Sequence, residues 1–182
     1  MNNLLFVHID KTAGWSVIEA LEQNPRFYTT NHSPITWEPN YNNYTLFTIV
    51  RDPFTRVFSQ YEWYTKKRQK IKGYTFEEFV LQYDTLGEKH PNMKSYLKPQ
   101  YNFISNNGKV VVDEILRFER LEDDWDRFTS KYRLEEKLPH THKNPYKGEY
   151  SYDLYTPEMV DKMKQIFKKD FVLYGQYVLP YE

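Results

Sequence analysis

A short apolar run near the start of the chain is followed by a polar turn and then by apolar residues at helical spacing. The run covers residues 4–7 and has the length and composition of a buried strand. The turn lies at 10–14, and the apolar residues within 16–21 predict a helix. A turn that leads from a strand into a helix directs unpaired backbone N–H groups outward, and such groups bind anions.

A second strand, turn and helix follow further along the chain. Residues 44–50 are mostly β-branched or aromatic and predict the clearest strand of the sequence. The strand ends at Arg51, after which Asp52 is a good helix cap and Pro53 suits the first position of a helix. Apolar residues then recur at helical spacing: Phe54, Val57, Phe58 and Tyr61.

Strands and helices alternate along the rest of the chain. We predict shorter strands at 26–30, 110–112 and 115–118, a loop at 87–105, and helices that begin near Thr75, Leu121 and Thr156. The alternation predicts an α/β fold in which helices flank a central, mostly parallel sheet. We expect residues 1–182 to form a single domain, because this length supports one core of its own. Ligands of such folds bind beyond the carboxyl ends of the strands.

Composition narrows the classes of partner and compartment. The chain has 25 basic and 25 acidic residues, so no overall field attracts nucleic acid or an acidic membrane. The basic run at 66–72 could attract an anionic glycan, but we expect it to be a solvated helix end. It has no cysteine, which excludes disulfides and thiolate metal sites. No apolar run is long enough to span a membrane, and the N-terminus lacks the pattern of a signal peptide. We therefore expect a soluble, cytoplasmic protein without an integral membrane segment, a composition compatible with bacterial or viral origin.

The first turn contains residues that suit a phosphate-like group. Lys11 supplies a positive charge, and Thr12 and Ser16 supply hydroxyl donors. The glycine-rich pattern of nucleotide P-loops is absent, because Gly14 is the only glycine of the turn and it follows the lysine. Considered by itself, the turn is therefore equally compatible with an ordinary helix start capped by Thr12 or Ser16.

Two segments together resemble the sulfotransferases that use PAPS (3′-phosphoadenosine 5′-phosphosulfate) as the sulfuryl donor. Residues 8–16 read HIDKTAGWS and resemble the H-I-P-K-T-A-G-T-S motif that binds the 5′-phosphosulfate. Residues 49–61 read IVRDPFTRVFSQY and resemble the V-R-D-P-x-x-R-x-x-S-x-Y segment that binds the 3′-phosphate. Further likeness at 115–121 and 152–174 extends the resemblance over nearly the whole chain, and it is greatest to the carbohydrate (Golgi-type) branch.

The resemblance implies a fold like that of the P-loop NTPases and transfer of the sulfuryl group of PAPS to a hydroxyl, which we expect to belong to a saccharide. Lys11 would neutralise the charge that develops on the leaving PAP, the desulfated form of PAPS. The residues expected to hold PAPS are Lys11, Thr12, Ala13, Gly14, Trp15, Ser16, Arg51, Ser59 and Lys147. Arg51 and Ser59 would bind the 3′-phosphate, and Lys147 lies in a loop that would fold over the nucleotide. Arg56 could assist them or pair with an acid.

The acceptor hydroxyl must lose a proton as it attacks, so the site needs a general base. His32 follows the second predicted strand and is expected on the same edge of the sheet as Lys11, and the carbohydrate branch often uses a histidine there. The pKa of an ordinary histidine suits this task. Glu19, on the first helix, is the alternative base, and we expect His8 to pack or bond within its strand.

Two residues depart from the motif of the family. Asp10 stands where proline is usual, and Trp15 stands where a small hydroxyl residue is common. The bulk of Trp15 could narrow the path of the sulfuryl group, so a catalytically inactive module that binds nucleotides or glycans is one alternative. A nucleotide kinase of P-loop type is another, although no residue evidently holds Mg²⁺. His140 and His142 lack a third ligand, and we expect no metal.

Overall fold

The sheet at the centre of the protein is parallel, as the sequence predicts. The computed structural model describes residues 2–139 and 150–177. Its strands are β1 (Asn3–Val7), β2 (Phe27–Thr29), β3 (Tyr44–Val50), β4 (Ser105–Asn106), β5 (Lys109–Val110) and β6 (Glu114–Arg117). Four of them pair in parallel in the order β2-β1-β3-β6, and β4 and β5 form a separate antiparallel hairpin.

Helices flank the sheet and confirm the predicted α/β class. The α-helices of the described chain are α1 (Gly14–Leu21), α2 (Pro53–Tyr61), α3 (Phe76–Leu81), α4 (Tyr83–Lys89), α5 (Tyr101–Ile104), α6 (Leu121–Tyr132), α7 (Pro157–Ile166) and α8 (Lys168–Tyr177). A π-helical turn at Glu62–Lys67 continues α2, and 3-10 turns lie at Ile35–Trp37, Tyr41–Asn43, Pro91–Met93, Phe118–Arg120 and Tyr152–Leu154. None of the helices in the described ranges is both long and apolar enough to cross a bilayer.

The second strand, turn and helix agree closely with the sequence pattern. β3 has the predicted bounds, and α2 begins at Pro53 because Asp52 caps it. The backbone N–H of Thr55 donates to Asp52 Oδ1 over 2.8 Å. The strand predicted at 110–112 is shorter, and its first residue pairs within the β4–β5 hairpin instead of joining the central sheet.

The segment 87–105, which we predicted as a loop, contains the end of α4 and all of α5. The carboxylate of Asp170 on α8 accepts hydrogen bonds from the backbone N–H groups of Gln100 and Tyr101, at 2.7 and 2.9 Å. Such N–H groups at the start of a helix have no partner inside it. This cap lies 70 residues away from Gln100 in sequence, so no local pattern could indicate it.

Alternate side chains of β1 pack on opposite faces of the sheet. Leu4 and Phe6 join an apolar cluster with residues of α1 and α6, whereas Leu5 and Val7 join a cluster with residues of α5 and α8. A further cluster lies among α2, α3, α4 and α7. Since all four side chains are buried, the run that forms β1 is continuously apolar in sequence.

The order of the strands creates a binding crevice where β1 and β3 end. From β1 the chain passes to β2 on one side, and it then returns to form β3 on the other side. Ligands of parallel α/β sheets bind beyond the carboxyl ends of the strands at such a reversal. Lys11 follows β1 and Arg51 follows β3, so the fold brings both residues to this crevice.

Candidate active site

The turn between β1 and α1 has the backbone conformation of an anion site. Lys11 and Ala13 both have a φ of 64°, in the left-handed region, whereas Thr12 between them does not. Alternation of this kind turns successive N–H groups toward one side and forms a concave nest for an anion. Because α1 begins directly afterwards at Gly14, the unpaired N–H groups of its first turn lie next to the nest.

The hydroxyl of Thr12 lies on the inner side of this turn. The residue is fully buried, and its Oγ1 donates to the backbone carbonyl of Ile9 over 2.9 Å. This position differs from our expectation of a hydroxyl directed at the ligand, since the bond to Ile9 fixes it toward the protein interior. The simple alternative of a helix capped by Thr12 or Ser16 is wrong, because the cap residue is Ala13 and no side chain caps the helix.

Gly14 is required by a close contact with His8. A Cβ added at residue 14 would lie 1.9 Å from Nε2 and 2.1 Å from Cδ2 of the His8 ring. Atoms do not approach so closely in a packed interior, so any side chain at residue 14 would displace this imidazole. The glycine therefore allows the first turn of α1 to pack directly against the residue that follows β1.

Arg51, directly after β3, connects the second strand to the anion-binding turn. Its Nη1 donates to the backbone carbonyl of Lys11 over 3.1 Å, and its Nε donates to Thr55 Oγ1 over 2.9 Å. The guanidinium also lies over the ring of Phe118, 4.1 Å from the ring centroid. These contacts hold a planar, permanently charged group beside the nest.

Lys11 and Arg51 line one large cavity of about 1490 Å³. It is also lined by most of the residues that we predicted for donor binding and catalysis: Lys11, Ala13, Gly14, Trp15, Ser16, His32, Arg51 and Ser59. Thr12 does not line it, and Lys147 lies outside the described residues. Ligand sites commonly measure about 300–1000 Å³, so this cavity has room for a nucleotide together with a second substrate.

The cations of the cavity repel one another and are partly withdrawn from water. Burial lowers the pKa of Lys11 to about 8; the carboxylate of Asp10 opposes this shift, and nearby cations such as Arg51 add to it. Burial also lowers the pKa of Arg51 to about 10. The ammonium of Lys11 lies 4.1 Å from the centroid of the Trp63 ring. A bound anion would relieve this repulsion, so the electrostatics of the cavity favour an anionic ligand.

Two charged residues considered for the site lie elsewhere. Arg56 is completely buried, and its guanidinium donates to the backbone carbonyls of Asp10, Tyr96 and Lys98. It does not line the cavity, and within the described residues it pairs with no acid, so its role is to tie the turn to the 96–98 segment. Glu19 is exposed on α1 and does not line the cavity, which disfavours it as the base.

His32 lies in a strained stretch of backbone at the cavity wall. Its φ is 66° and that of Asn31 is 47°, both in the left-handed region that non-glycine residues seldom adopt and that asparagine and histidine tolerate better than most. The rings of His32 and His8 are in contact, with centroids 3.8 Å apart and planes inclined by 40°. Burial lowers the pKa of His32, which keeps its ring neutral and able to accept a proton. His8 packs on Phe6 as expected, but it lines the cavity as well.

The π-helical turn after α2, which the sequence did not predict, supplies further cavity residues. Trp63 and Glu62, which is only 3% exposed, line the cavity. Part of the basic run at 66–72 is exposed, as expected, and also lines the mouth of this cavity: Lys67, Arg68 and Lys70. Lys66 pairs with Glu62 instead, at 2.6 Å. A π-helical register is frequent at functional sites, but no pattern of residue types indicates it in advance.

Metal ligands are not grouped in the described part of the chain. Across residues 2–139 and 150–177, no three His, Cys, Asp or Glu side chains are placed to hold a metal ion. His140 and His142, which we considered as a metal pair, lie outside these ranges. The site as described therefore combines cations, backbone N–H groups and imidazoles with aromatic rings and carboxylates such as Asp10 and Glu62.

Comparison with known proteins agrees with this geometry. The model of a family described as the sulfotransferase family matches residues 2–178, so the chain belongs to the sulfotransferase family. This membership supports a sulfuryl-transferring enzyme, as the resemblance of the two motifs predicts. An uncharacterized protein of Archaeoglobus fulgidus is 34% identical to the chain over 101 residues, which are 54% of this chain and 75% of the relative. No solved structure matches the chain significantly.

Proposed function

We propose that the protein transfers the sulfuryl group of PAPS to a hydroxyl of an acceptor, and that the acceptor is a saccharide. Membership of the sulfotransferase family supports the type of reaction. The likeness of residues 8–16 to the phosphosulfate motif supports PAPS as donor and the carbohydrate branch as the subgroup. The nest at Lys11 and Ala13 supports a P-loop-like fold. We propose that residues 1–182 form one domain with this fold.

The observation that carries the proposal is the hydrogen bond from Arg51 Nη1 to the carbonyl of Lys11, which is 3.1 Å long. It brings the end of β3 against the turn after β1, so two groups suited to anions share one cavity. PAPS presents two anionic groups, a phosphosulfate on its 5′ side and a phosphate on its 3′ side. The nest suits the first group, and Arg51 with Ser59 suits the second.

In this mechanism each described residue has a simple task. Lys11 and the N–H groups of the nest stabilise the negative charge that develops on the phosphate oxygen of the leaving PAP. His32 accepts the proton of the acceptor hydroxyl while the hydroxyl oxygen forms a bond to sulfur. The bond between sulfur and the 5′-phosphate oxygen breaks in the same displacement, and its electron pair leaves with PAP.

Aromatic side chains of the cavity support a saccharide acceptor. Trp15, Trp63 and Tyr96 line the cavity, and Trp15 is 61% exposed. Aromatic rings offer large flat apolar faces that suit the apolar faces of sugar rings. An exposed ring of this kind is a surface for acceptor contact, whether the protein is an active enzyme or the inactive glycan-binding module, and the turnover assay below separates these two.

Calorimetric titration with PAP, and separately with ATP and Mg²⁺, tests the proposed donor. We expect tight binding of PAP and weak binding of ATP–Mg²⁺. Arg51→Ala should abolish PAP binding, whereas Lys164→Ala, at an exposed position of α7, should leave it unchanged. A preference for ATP–Mg²⁺ would support the kinase alternative, and binding of neither ligand would refute the proposal.

Transfer of labelled sulfate from PAPS to a panel of saccharides tests the reaction. Turnover that is lost in Lys11→Ala and kept in Lys164→Ala would support sulfuryl transfer at the nest. Tight PAP binding without turnover on any acceptor of the panel would support the inactive module instead.

A further inference from the structure

Three ionisable residues from distant parts of the sequence meet at one side of the cavity. His8 and Asp10 both follow β1, and His32 follows β2. All three line the cavity, although His8 and Asp10 are only 2% and 6% exposed. The proposed mechanism uses His32 alone, so the presence of two further buried ionisable groups beside it needs an explanation.

His8 is held rigidly beneath His32. Its ring stacks on Phe6 with centroids 5.4 Å apart and contacts the tilted ring of His32 at 3.8 Å, and its backbone N–H donates to Thr30 Oγ1 over 3.2 Å. Gly14 packs against a further side of the His8 ring. The Nδ1 atoms of both imidazoles are buried and have no hydrogen-bond partner among the described residues. Two imidazoles with ring centroids 3.8 Å apart in such surroundings do not both become imidazolium cations, because like charges at this separation repel strongly.

Asp10 is a fixed, buried carboxylate. Its Oδ2 accepts hydrogen bonds from Tyr64 Oη over 2.9 Å and from Gln60 Nε2 over 3.2 Å. Gln60 is fixed in turn, since its Oε1 accepts from Tyr83 Oη over 2.8 Å. A chain of hydrogen bonds therefore holds a negative charge beside an anion site, where this charge alone would weaken the binding of an anion. The same charge opposes the lowering of the pKa of Lys11, and it acts on the imidazole of His32 as well.

The charged groups that face His32 come from each element packed against it. The carboxylate of Asp10 and a hydrogen bond to the backbone of His8 favour its protonated form. The cations of Lys11, on the turn, and Arg56, on α2, disfavour that form, as does burial. The segment before α5 contributes the uncharged ring of Tyr96, 5.1 Å away. Asp10 is thus the negative charge that offsets two cations around the base.

We propose that Asp10 and His8 are positioning residues that set the proton affinity of His32 in opposite directions. Asp10 stabilises the imidazolium that forms when His32 takes the proton of the acceptor hydroxyl. His8 stays neutral, shields the ring of His32 from water and so opposes its protonation. The catalytic part of this inference rests on the proposed function, whereas the electrostatic part concerns the protein without ligands.

Titration of the histidine Cε1–H resonances by NMR, in the full chain without any ligand, tests the inference. The resonance of His32 is identified by its loss in His32→Ala. We expect Asp10→Asn to lower the pKa of His32 by at least about 0.5 unit, because it removes a nearby negative charge. We expect His8→Ala to raise it by a similar amount, because it admits water to the ring. Asp126→Asn, an exposed carboxylate on α6, is the matched control and should not move it.

The opposite signs separate this role from a structural one. Shifts in the same direction in Asp10→Asn and His8→Ala, or no shift in Asp10→Asn, would overturn the proposal. If His8→Ala does not fold, His8→Gln removes the ring while keeping a polar side chain, and the same rise is expected. Failure of PAP to bind would refute the proposed function but not these shifts, so the two failures are distinguishable.

Discussion

Substitution of Gly14 by alanine probes the packing at the centre of the site. The added Cβ would lie 1.9 Å from His8 Nε2, so the imidazole would have to move by about 1 Å or more to reach an ordinary contact distance. The ring has little freedom to do so, because Phe6 stacks on it at 5.4 Å and His32 contacts it at 3.8 Å.

The expected cost follows from the balance of two effects. Overpacking of a tight site destabilises a protein by about 1–3 kcal/mol. Alanine in place of glycine in a helix raises the free energy of unfolding by up to about 1 kcal/mol. This gain applies at residue 14 because the backbone of Gly14 lies outside the left-handed region. We therefore expect Gly14→Ala to lower the free energy of unfolding by about 2 kcal/mol, measured by urea denaturation.

A double-mutant cycle with His8→Ala attributes this cost to the ring. In the His8→Ala background the added methyl group meets no imidazole, so Gly14→Ala should be neutral or slightly stabilising, and the coupling energy should be about 2 kcal/mol. Gly87→Ala in α4 is the matched control: its Cβ would lie 3.3 Å from Lys94 Cα, and its smaller effect should be independent of His8. An equal cost of Gly14→Ala in both backgrounds would refute the reasoning.

Three further predictions concern the cations and the base. His32→Ala should lower the turnover number more than the affinity for PAP, and equal losses in kinetics and calorimetry would contradict its role as base. The affinity for PAP, measured by calorimetry, should fall as the pH rises through about 8. In the free protein Lys11 loses its proton near this pH, whereas a bound anion stabilises the protonated ammonium. Lys11→Met is the control, and its affinity for PAP should depend less on pH. Arg56→Met should cost at least about 2 kcal/mol of stability in urea, because it leaves the carbonyls of Asp10 and Lys98 without their donor, whereas that of Tyr96 keeps Gln60. Arg51→Ala should instead fold normally and lose PAP binding. A loss of stability in Arg51→Ala with unchanged PAP binding would contradict these roles.

Much of the fold and the choice of the site could be predicted from the sequence, because these depend on local patterns. The apolar run of β1 and the bounds of β3 follow from strand composition, and α2 begins at Pro53 because Asp52 and Pro53 are local cap signals. Parallel strands end at one edge of a sheet, so the proximity of Lys11 and Arg51 follows from their positions after β1 and β3. The family follows from the order and spacing of two motifs.

The directions of the side chains were decided only by the tertiary structure. Thr12 turns inward to Ile9, and Arg56 binds three carbonyls instead of a phosphate or an acid. The start of α5 depends on Asp170, which is far away in sequence. The reason is common to these cases: a residue type fixes which bonds are possible, whereas the partner is supplied by whichever distant segment packs there. The motif specifies a glycine at residue 14, but only the packing of His8 against Gly14 in the tertiary structure explains why glycine is needed there.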